Sequence, residues 1–184
     1  MKSECILLEL KELSSNETIT KKELMDLLKK YANIISVYDL MMATAQMRKD
    51  GEYVHANYRE KYLKVYIEYF IMRMKEVLEQ EEYNHDSNID KKSFDQSFPM
   101  LERVFEKERI SSSEEDRFPL IYVITSLYTT FILEEPIHPV GSEFPGSLKV
   151  EEKNGKFLCP VKDKQKDNVN AICHLCLAEQ TPNV

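Results

Sequence analysis

The stretch "FPLIYVITSLYTTFIL", residues 118–133, contains 16 residues without a charge. A helix needs roughly 20 apolar residues to cross a bilayer, so this run is too short for a membrane span. The run therefore predicts a helix that is buried on all sides in the centre of a helical core. Pro119 fits the first turn of that helix. The β-branched residues leave a strand as the alternative.

Amphipathic helices precede this central run. Thr20 and Glu23 form a capping box, and apolar residues at helical spacing predict a helix from there to about Arg48. After a break at Gly51, residues 58–80 predict a second long helix. A shorter amphipathic helix is predicted around residues 98–110. The fold class is therefore mainly α, with a body of about five helices.

Composition changes near residue 135. Three of the four glycines and four of the seven prolines lie between positions 136 and 160. Residues 136–184 contain six acids and six lysines, so the net charge of −7 belongs to residues 1–135. We expect an acidic helical body, 1–135, and a C-terminal cysteine module, 136–184, packed together as one structural unit.

The charge and the N-terminal residues limit the function classes. A net charge of −7 argues against binding to nucleic acid or to anionic membranes, since both need a basic surface. Glu4 and Glu9 interrupt the apolar N-terminal stretch, which is not the pattern of a signal peptide or an anchor. We therefore expect a cytoplasmic protein with reduced thiols, where clustered cysteines indicate metal or redox chemistry.

Three of the four cysteines lie in "CPVKDKQKDNVNAICHLC", residues 159–176. Asn154-Gly155 predicts a β-hairpin whose second strand ends at Cys159. A last helix is predicted over residues 169–179, where Cys173 and Cys176 would share one face. Zinc prefers four thiolate and imidazole ligands in a tetrahedron, so the pattern predicts a zinc site built from these three cysteines.

The pattern offers several candidates for the fourth ligand. We choose His138, because it stands in the rigid loop immediately before the hairpin. His174 lies between the paired cysteines and would point away, and Cys5 lies far away in an apolar helix. His55, water or a substrate are further alternatives. An open fourth position would indicate a catalytic zinc site instead of a structural one.

Other interpretations of the same cysteines remain open. Three thiolates and one other ligand also suit an iron–sulfur cluster. Cys173 and Cys176 could instead form a reversible thiol pair, or simply pack as small apolar residues. An enzyme would use the open metal or the thiol pair beside His138, with Tyr58 and Arg59 as further polar groups.

The runs "IHPVGSEFPGSLKV", "CPVKDKQKDN" and "CHLCLAEQ" resemble the C-terminal signature of an uncharacterised protein family of methanogenic archaea. The layout of the helical body is also similar. Ser147 stands where the family pattern has a second glycine after "FPG". The resemblance implies a cytosolic protein of a strict anaerobe, which favours reduced thiols, and it implies no catalytic residue.

We therefore expect a cytosolic zinc protein. Its structural site would be closed by Cys159, Cys173, Cys176 and His138, and its long helices would bind a protein partner. The alternative is a redox or metal-dependent enzyme at the same residues.

Overall fold

The computed structural model describes residues 5–53, 56–81, 83, 85–111, 116–168 and 171–182. Within these residues the protein is mainly helical, as predicted, with six α-helices followed by short strands. The helices are α1 (Cys5–Ser14), α2 (Lys21–Ala32), α3 (Val37–Asp50), α4 (Ala56–Glu79), α5 (Lys91–Ser111) and α6 (Phe118–Leu127). A 3-10 turn, Gly51–Tyr53, follows α3, and a π-helical turn, Tyr128–Ile132, continues α6.

The uncharged run forms the central helix, as predicted. α6 packs against α2, α3, α4 and α5, and its residues are buried except near Phe118 and Tyr122. Its hydroxyl groups bond inside the helix: Thr125 donates to the Ile121 carbonyl at 2.9 Å and Thr129 donates to the Thr125 carbonyl at 2.8 Å. These bonds let polar side chains enter an apolar core. Among the described helices, none combines the length and hydropathy that a membrane-spanning helix needs.

The prediction of one helix from Thr20 to about Arg48 is wrong. α2 ends at Ala32, and a second capping box begins α3: the Ser36 hydroxyl accepts the Asp39 amide, and the Asp39 carboxylate accepts the Ser36 amide. A residue that caps a helix has extended backbone dihedrals, and Ser36 has φ −92° and ψ 165°. The helix must therefore break before Ser36, and the described residues contain six α-helices, close to the predicted body of about five.

Residues after the body form short strands. β1 (Glu143–Phe144) pairs with β2 (Leu148–Lys149), and β3 (Glu151–Lys153) pairs with β4 (Lys156–Cys159) in the predicted hairpin. Asn154 and Gly155 have φ of 54° and 73°, the left-handed conformation that a tight hairpin turn requires.

The predicted helix over residues 169–179 is wrong. The described residues there form one 3-10 turn, Ile172–His174, and then extend into β5 (Glu179–Gln180). β5 runs parallel to β4, with Cys159 opposite Gln180. Pairing with a sheet requires an extended backbone, and it therefore prevents a continuing helix.

Two groups of buried side chains hold the chain together. The larger core lies within the helical body and also includes Leu175 from the C-terminal segment. A smaller cluster contains Phe144, Val150, Cys159 and Ala178. Tyr62 of α4 packs against both groups, so α4 is where the strands rest on the helical body.

Replacing Ser36 by Ala tests the helix break. The change removes the oxygen that accepts the Asp39 amide, so we expect the free energy of unfolding to fall by about 1 kcal/mol in urea titrations. Thr44→Ala is the matched control on the same helix, because Thr44 only bonds back to the Leu40 carbonyl. Equal stability of the two variants would contradict the capping role of Ser36.

Candidate functional site

The three C-terminal cysteines approach one another in the structure. Cys159 is buried at the end of β4, Cys173 lies in the turn Ile172–His174, and Cys176 follows that turn. The turn has 3-10 hydrogen bonds, including Cys176 N–H to the Cys173 carbonyl at 3.3 Å. Residues three apart eclipse in a 3-10 turn, so the two cysteines still share a side although the predicted helix is absent.

Burial and mutual proximity set the pKa values of these thiols. Burial, together with the nearby Cys176 and Cys159, raises the pKa of Cys173 to about 11. Burial also raises the pKa of Cys159, and Cys176 adds to that effect. Without a cation, both thiols are protonated at neutral pH. A bound metal ion would reverse this preference, since a coordinating thiol is deprotonated.

Backbone amides point at the sulfur atoms. The N–H groups of Val161 and Lys162 hydrogen-bond to Cys159 and oppose the rise of its pKa. The Ile137 N–H donates to Cys176 Sγ, with 3.4 Å between nitrogen and sulfur. Such donors stabilise negative sulfur, and they are the outer partners that thiolate ligands of metals use.

His138 lies next to this cysteine group, because it directly follows Ile137. Its Nε2 is 3.2 Å from the Tyr62 hydroxyl. The imidazole stacks on Tyr66 at 5.4 Å and meets Phe144 edge-on at 5.5 Å. Burial among these rings lowers the pKa of His138 to about 4. The imidazole is therefore neutral at physiological pH, which is the form that binds metals.

A small cavity borders His138. Its lining includes the Tyr62 and Tyr66 side chains and the ion pair between Lys61 and Glu143, whose charged atoms are 2.6 Å apart. The volume is about 50 Å³. This space holds a few water molecules, whereas small-molecule sites are usually clefts of about 300 Å³ or more.

The described residues contain no ready-made metal site, since no three His, Cys, Asp or Glu side chains among them are arranged to hold an ion. The predicted set therefore lies in one region without forming a finished tetrahedron.

The remaining candidates lie elsewhere. Cys5 is in α1 of the helical body, and His174 Nε2 is 2.9 Å from the Asn168 carbonyl oxygen. Arg59 donates to the Glu52 carbonyl, and the Tyr58 hydroxyl accepts the Gly146 amide. His55 lies outside the described residues. Tyr58 and Arg59, the further polar groups of the enzyme alternative, thus bond to other partners.

Sequence reasoning missed the side chains that support the site. Tyr62 bonds His138, and Lys162 contacts the cysteine turn. Arg73 is buried in α4 and bonds the carboxylates of Glu76 and Glu135, which holds the start of the loop that carries His138. A lone arginine on the apolar side of α4 is the one sequence signal that could have indicated this anchor.

Comparison with known proteins gives a consistent group of relatives. A family model described as "Uncharacterized protein conserved in archaea (DUF2115)" matches residues 20–181. A UPF0305 protein of Methanothermobacter thermautotrophicus is 33% identical over 157 residues, which cover 84% of this chain and 92% of that protein. A UPF0305 protein of Methanocaldococcus jannaschii is 31% identical over 159 residues, 86% of this chain and 94% of the relative. The Methanopyrus kandleri relative is 32% identical over 142 residues, 74% of this chain and 94% of its own length. No solved structure matches the chain.

The depressed pKa of His138 predicts a loss of stability in acid. Between pH 6.5 and about 4, His138 is protonated in the unfolded chain but stays neutral in the folded protein. The free energy of unfolding therefore falls as the pH falls through this range. For metal-free protein we expect the free energy of unfolding to drop by about 1–2 kcal/mol from pH 7 to pH 5 through this group.

Urea titrations at the two pH values, with a chelator present, measure the drop. His138→Phe should remove this part of it, and His174→Phe, at an exposed position, should retain it. An unchanged pH dependence in His138→Phe would show that burial does not control this histidine.

Proposed function

This chain belongs to the archaeal family of uncharacterized conserved proteins, DUF2115, and we propose that its C-terminal segment is a structural zinc-binding module. The ion would be held by Cys159, Cys173, Cys176 and His138. We also propose that the protein is cytoplasmic, where its thiols stay reduced, and that its helical body binds a protein partner.

The observation that carries the proposal is the convergence of sulfur atoms and backbone donors. Separate segments of chain bring amides to the sulfurs: Ile137 donates to Cys176, and the turn after Cys159 donates to Cys159. A neutral thiol gains little from such donors, whereas a metal-bound thiolate gains a charge-assisted hydrogen bond. These amide donors favour the thiolate form, and a bound cation would offset the burial that otherwise keeps Cys159 and Cys173 protonated.

His138 supports the same proposal as the fourth ligand. When Nε2 carries the proton, it donates to the Tyr62 hydroxyl and leaves the Nδ1 lone pair for the ion. Histidine ligands commonly fix their tautomer in this way through the other ring nitrogen. Three thiolates and one imidazole favour a single tetrahedral zinc ion. An iron–sulfur cluster on the same cysteines is the alternative cofactor, and the experiment below must distinguish it from zinc.

A structural ion would stabilise a part of the chain that has few contacts of its own. The strands are two to four residues long, and the smaller cluster contains four buried hydrophobic residues. A bound ion would join the loop before β1, the end of β4 and the cysteine turn. The binding free energy of such an ion adds directly to folding free energy.

The redox or enzyme alternative has less support in the geometry. A thiol attacks as the thiolate, and a pKa near 11 leaves Cys173 almost fully protonated at neutral pH. The cavity beside His138 is also too small for a typical substrate. The alternative therefore depends on an open metal ion or an iron–sulfur cluster, which elemental analysis of the purified protein would identify.

An apolar face on α3 supports the partner proposal. Its side chains project into solvent: Val37 is 75% exposed, Tyr38 67%, Met41 65% and Met42 52%. Contiguous exposed apolar side chains commonly mark interaction sites. Because the body carries the net charge of −7, the partner would present an apolar patch surrounded by basic residues.

We expect about one zinc ion per chain in protein purified without oxygen or added chelator, measured by elemental analysis. Cys159→Ser and Cys176→Ser should lose the zinc, and His138→Ala should lose most of it. Removing a ligand whose free concentration is about a thousand times its Kd lowers the free energy of unfolding by about 4 kcal/mol. Chelation should therefore destabilise the wild type strongly.

Cys5→Ser is the matched control: Cys5 lies in α1, away from the proposed ligands, so this variant should keep the full zinc content. If the purified protein contains iron and absorbs visible light, the cofactor is an iron–sulfur cluster instead of zinc, and the redox alternative is favoured. Protein without any metal, and with a stability that chelators do not change, would refute the zinc module.

The partner proposal predicts a cross-linking pattern. A photo-crosslinker at position 41 in cells should capture one basic protein, and Val37→Ser should reduce the yield. The purified partner should then bind the wild type and lose about tenfold or more in affinity for Tyr38→Ser. A crosslinker at exposed Leu8 of α1 is the control. Adducts only between copies of this chain, or equal yields at both positions, would contradict the proposal.

A further inference from the structure

Lys162 reaches from the segment after Cys159 to the cysteine turn. Its Nζ donates to the carbonyl oxygen of Cys173 and, at 2.7 Å, to the carbonyl oxygen of Cys176. Both acceptors belong to the paired cysteines. One side chain therefore ties the two segments that carry the three sulfur atoms.

The placement of this lysine differs from that of the lysines around it. Lys162 is partly buried, whereas Lys164 and Lys166 are exposed. An ammonium group that leaves water needs replacement hydrogen bonds, and the two carbonyl oxygens supply them. The Cys173 carbonyl already accepts the Cys176 amide, so the lysine is an additional donor to it as well as a donor to the Cys176 carbonyl.

Charge gives Lys162 a second role in the zinc module. Three thiolates, a neutral imidazole and Zn²⁺ sum to one negative charge, and the ammonium brings the total to zero. A neutral group is easier to bury than a charged one. The positive charge of Lys162 also opposes the rise in the pKa of Cys159 and Cys173.

We infer that Lys162 is a positioning residue for the metal ligands: it holds the Cys173–Cys176 turn against the segment that follows Cys159. It touches the backbone of the ligand residues and does not bind the ion. The inference rests on the zinc module proposed above, although the tie itself exists without metal.

Co²⁺ is the probe that tests it, because tetrahedral thiolate coordination gives this ion a visible spectrum. We expect Lys162→Met to weaken Co²⁺ binding by roughly 10–100-fold and to change the spectrum. Lys162→Arg keeps the charge and the donors, so it should restore both affinity and spectrum. Lys164→Met, at an exposed position on the same segment, should behave as the wild type.

A second readout uses metal-free protein. Alkylation of Cys173 and Cys176, followed by mass spectrometry, reports how firmly the turn is held. We expect several-fold faster alkylation in Lys162→Met than in Lys164→Met. Circular dichroism of both variants confirms that the helical body remains folded.

The outcomes separate this inference from the zinc module. Co²⁺ binding by the wild type that Lys162→Met leaves unchanged would overturn the role of Lys162 and keep the module. Absence of Co²⁺ and zinc binding, with faster alkylation in Lys162→Met, would refute the module and support the tie. Neither metal binding nor a change in alkylation would overturn both.

Discussion

The fold depends on the burial of one helix that carries no charge. α6 cannot expose any side to water at low cost, so α2, α3, α4 and α5 must surround it. The buried hydroxyls of Thr125 in α6 and of Thr129 in the turn that continues it donate to carbonyls of the preceding turn. The described core of the helical body is built mainly from its own helices, with Leu175 as its buried contribution from the C-terminal segment, so the other C-terminal residues are available for a site.

α4 connects this core to the candidate site. Tyr62 and Tyr66 of α4 pack against His138, and Arg73, two to three turns further along, bonds Glu135 at the start of the same loop. Both ends of the segment from Glu135 to His138 are thus fixed to one rigid helix. This attachment matters for chemistry, because a ligand can hold an ion tightly only if its own orientation is fixed.

Local signals in the sequence predicted much of the fold. The uncharged run predicted α6, and Asn154-Gly155 predicted the β3–β4 hairpin. Ser36 and Asp39 match the capping-box pattern, but the apolar residues continue at helical spacing across them and therefore predicted one uninterrupted helix. The final helix failed for a different reason: β5 owes its extended form to a partner strand, and single-sequence patterns do not contain that contact. The grouping of Cys159, Cys173 and Cys176 was predictable from spacing. The contacts of Tyr62 with His138 and of Lys162 with the cysteine turn were not, because they come from tertiary packing.

The parallel pairing of β5 with β4 has an entropic consequence. Leu158 faces Glu179 and Cys159 faces Gln180, so the sheet closes a loop that contains Cys173 and Cys176 and ends at Cys159. Closing a flexible loop of about 20 residues costs a few kcal/mol, and here strand pairing meets that cost before any ligand binds. The thiols are consequently held in one region of the chain, where their effective concentration is high. Any ion or reagent that binds one sulfur encounters the next as an intramolecular partner.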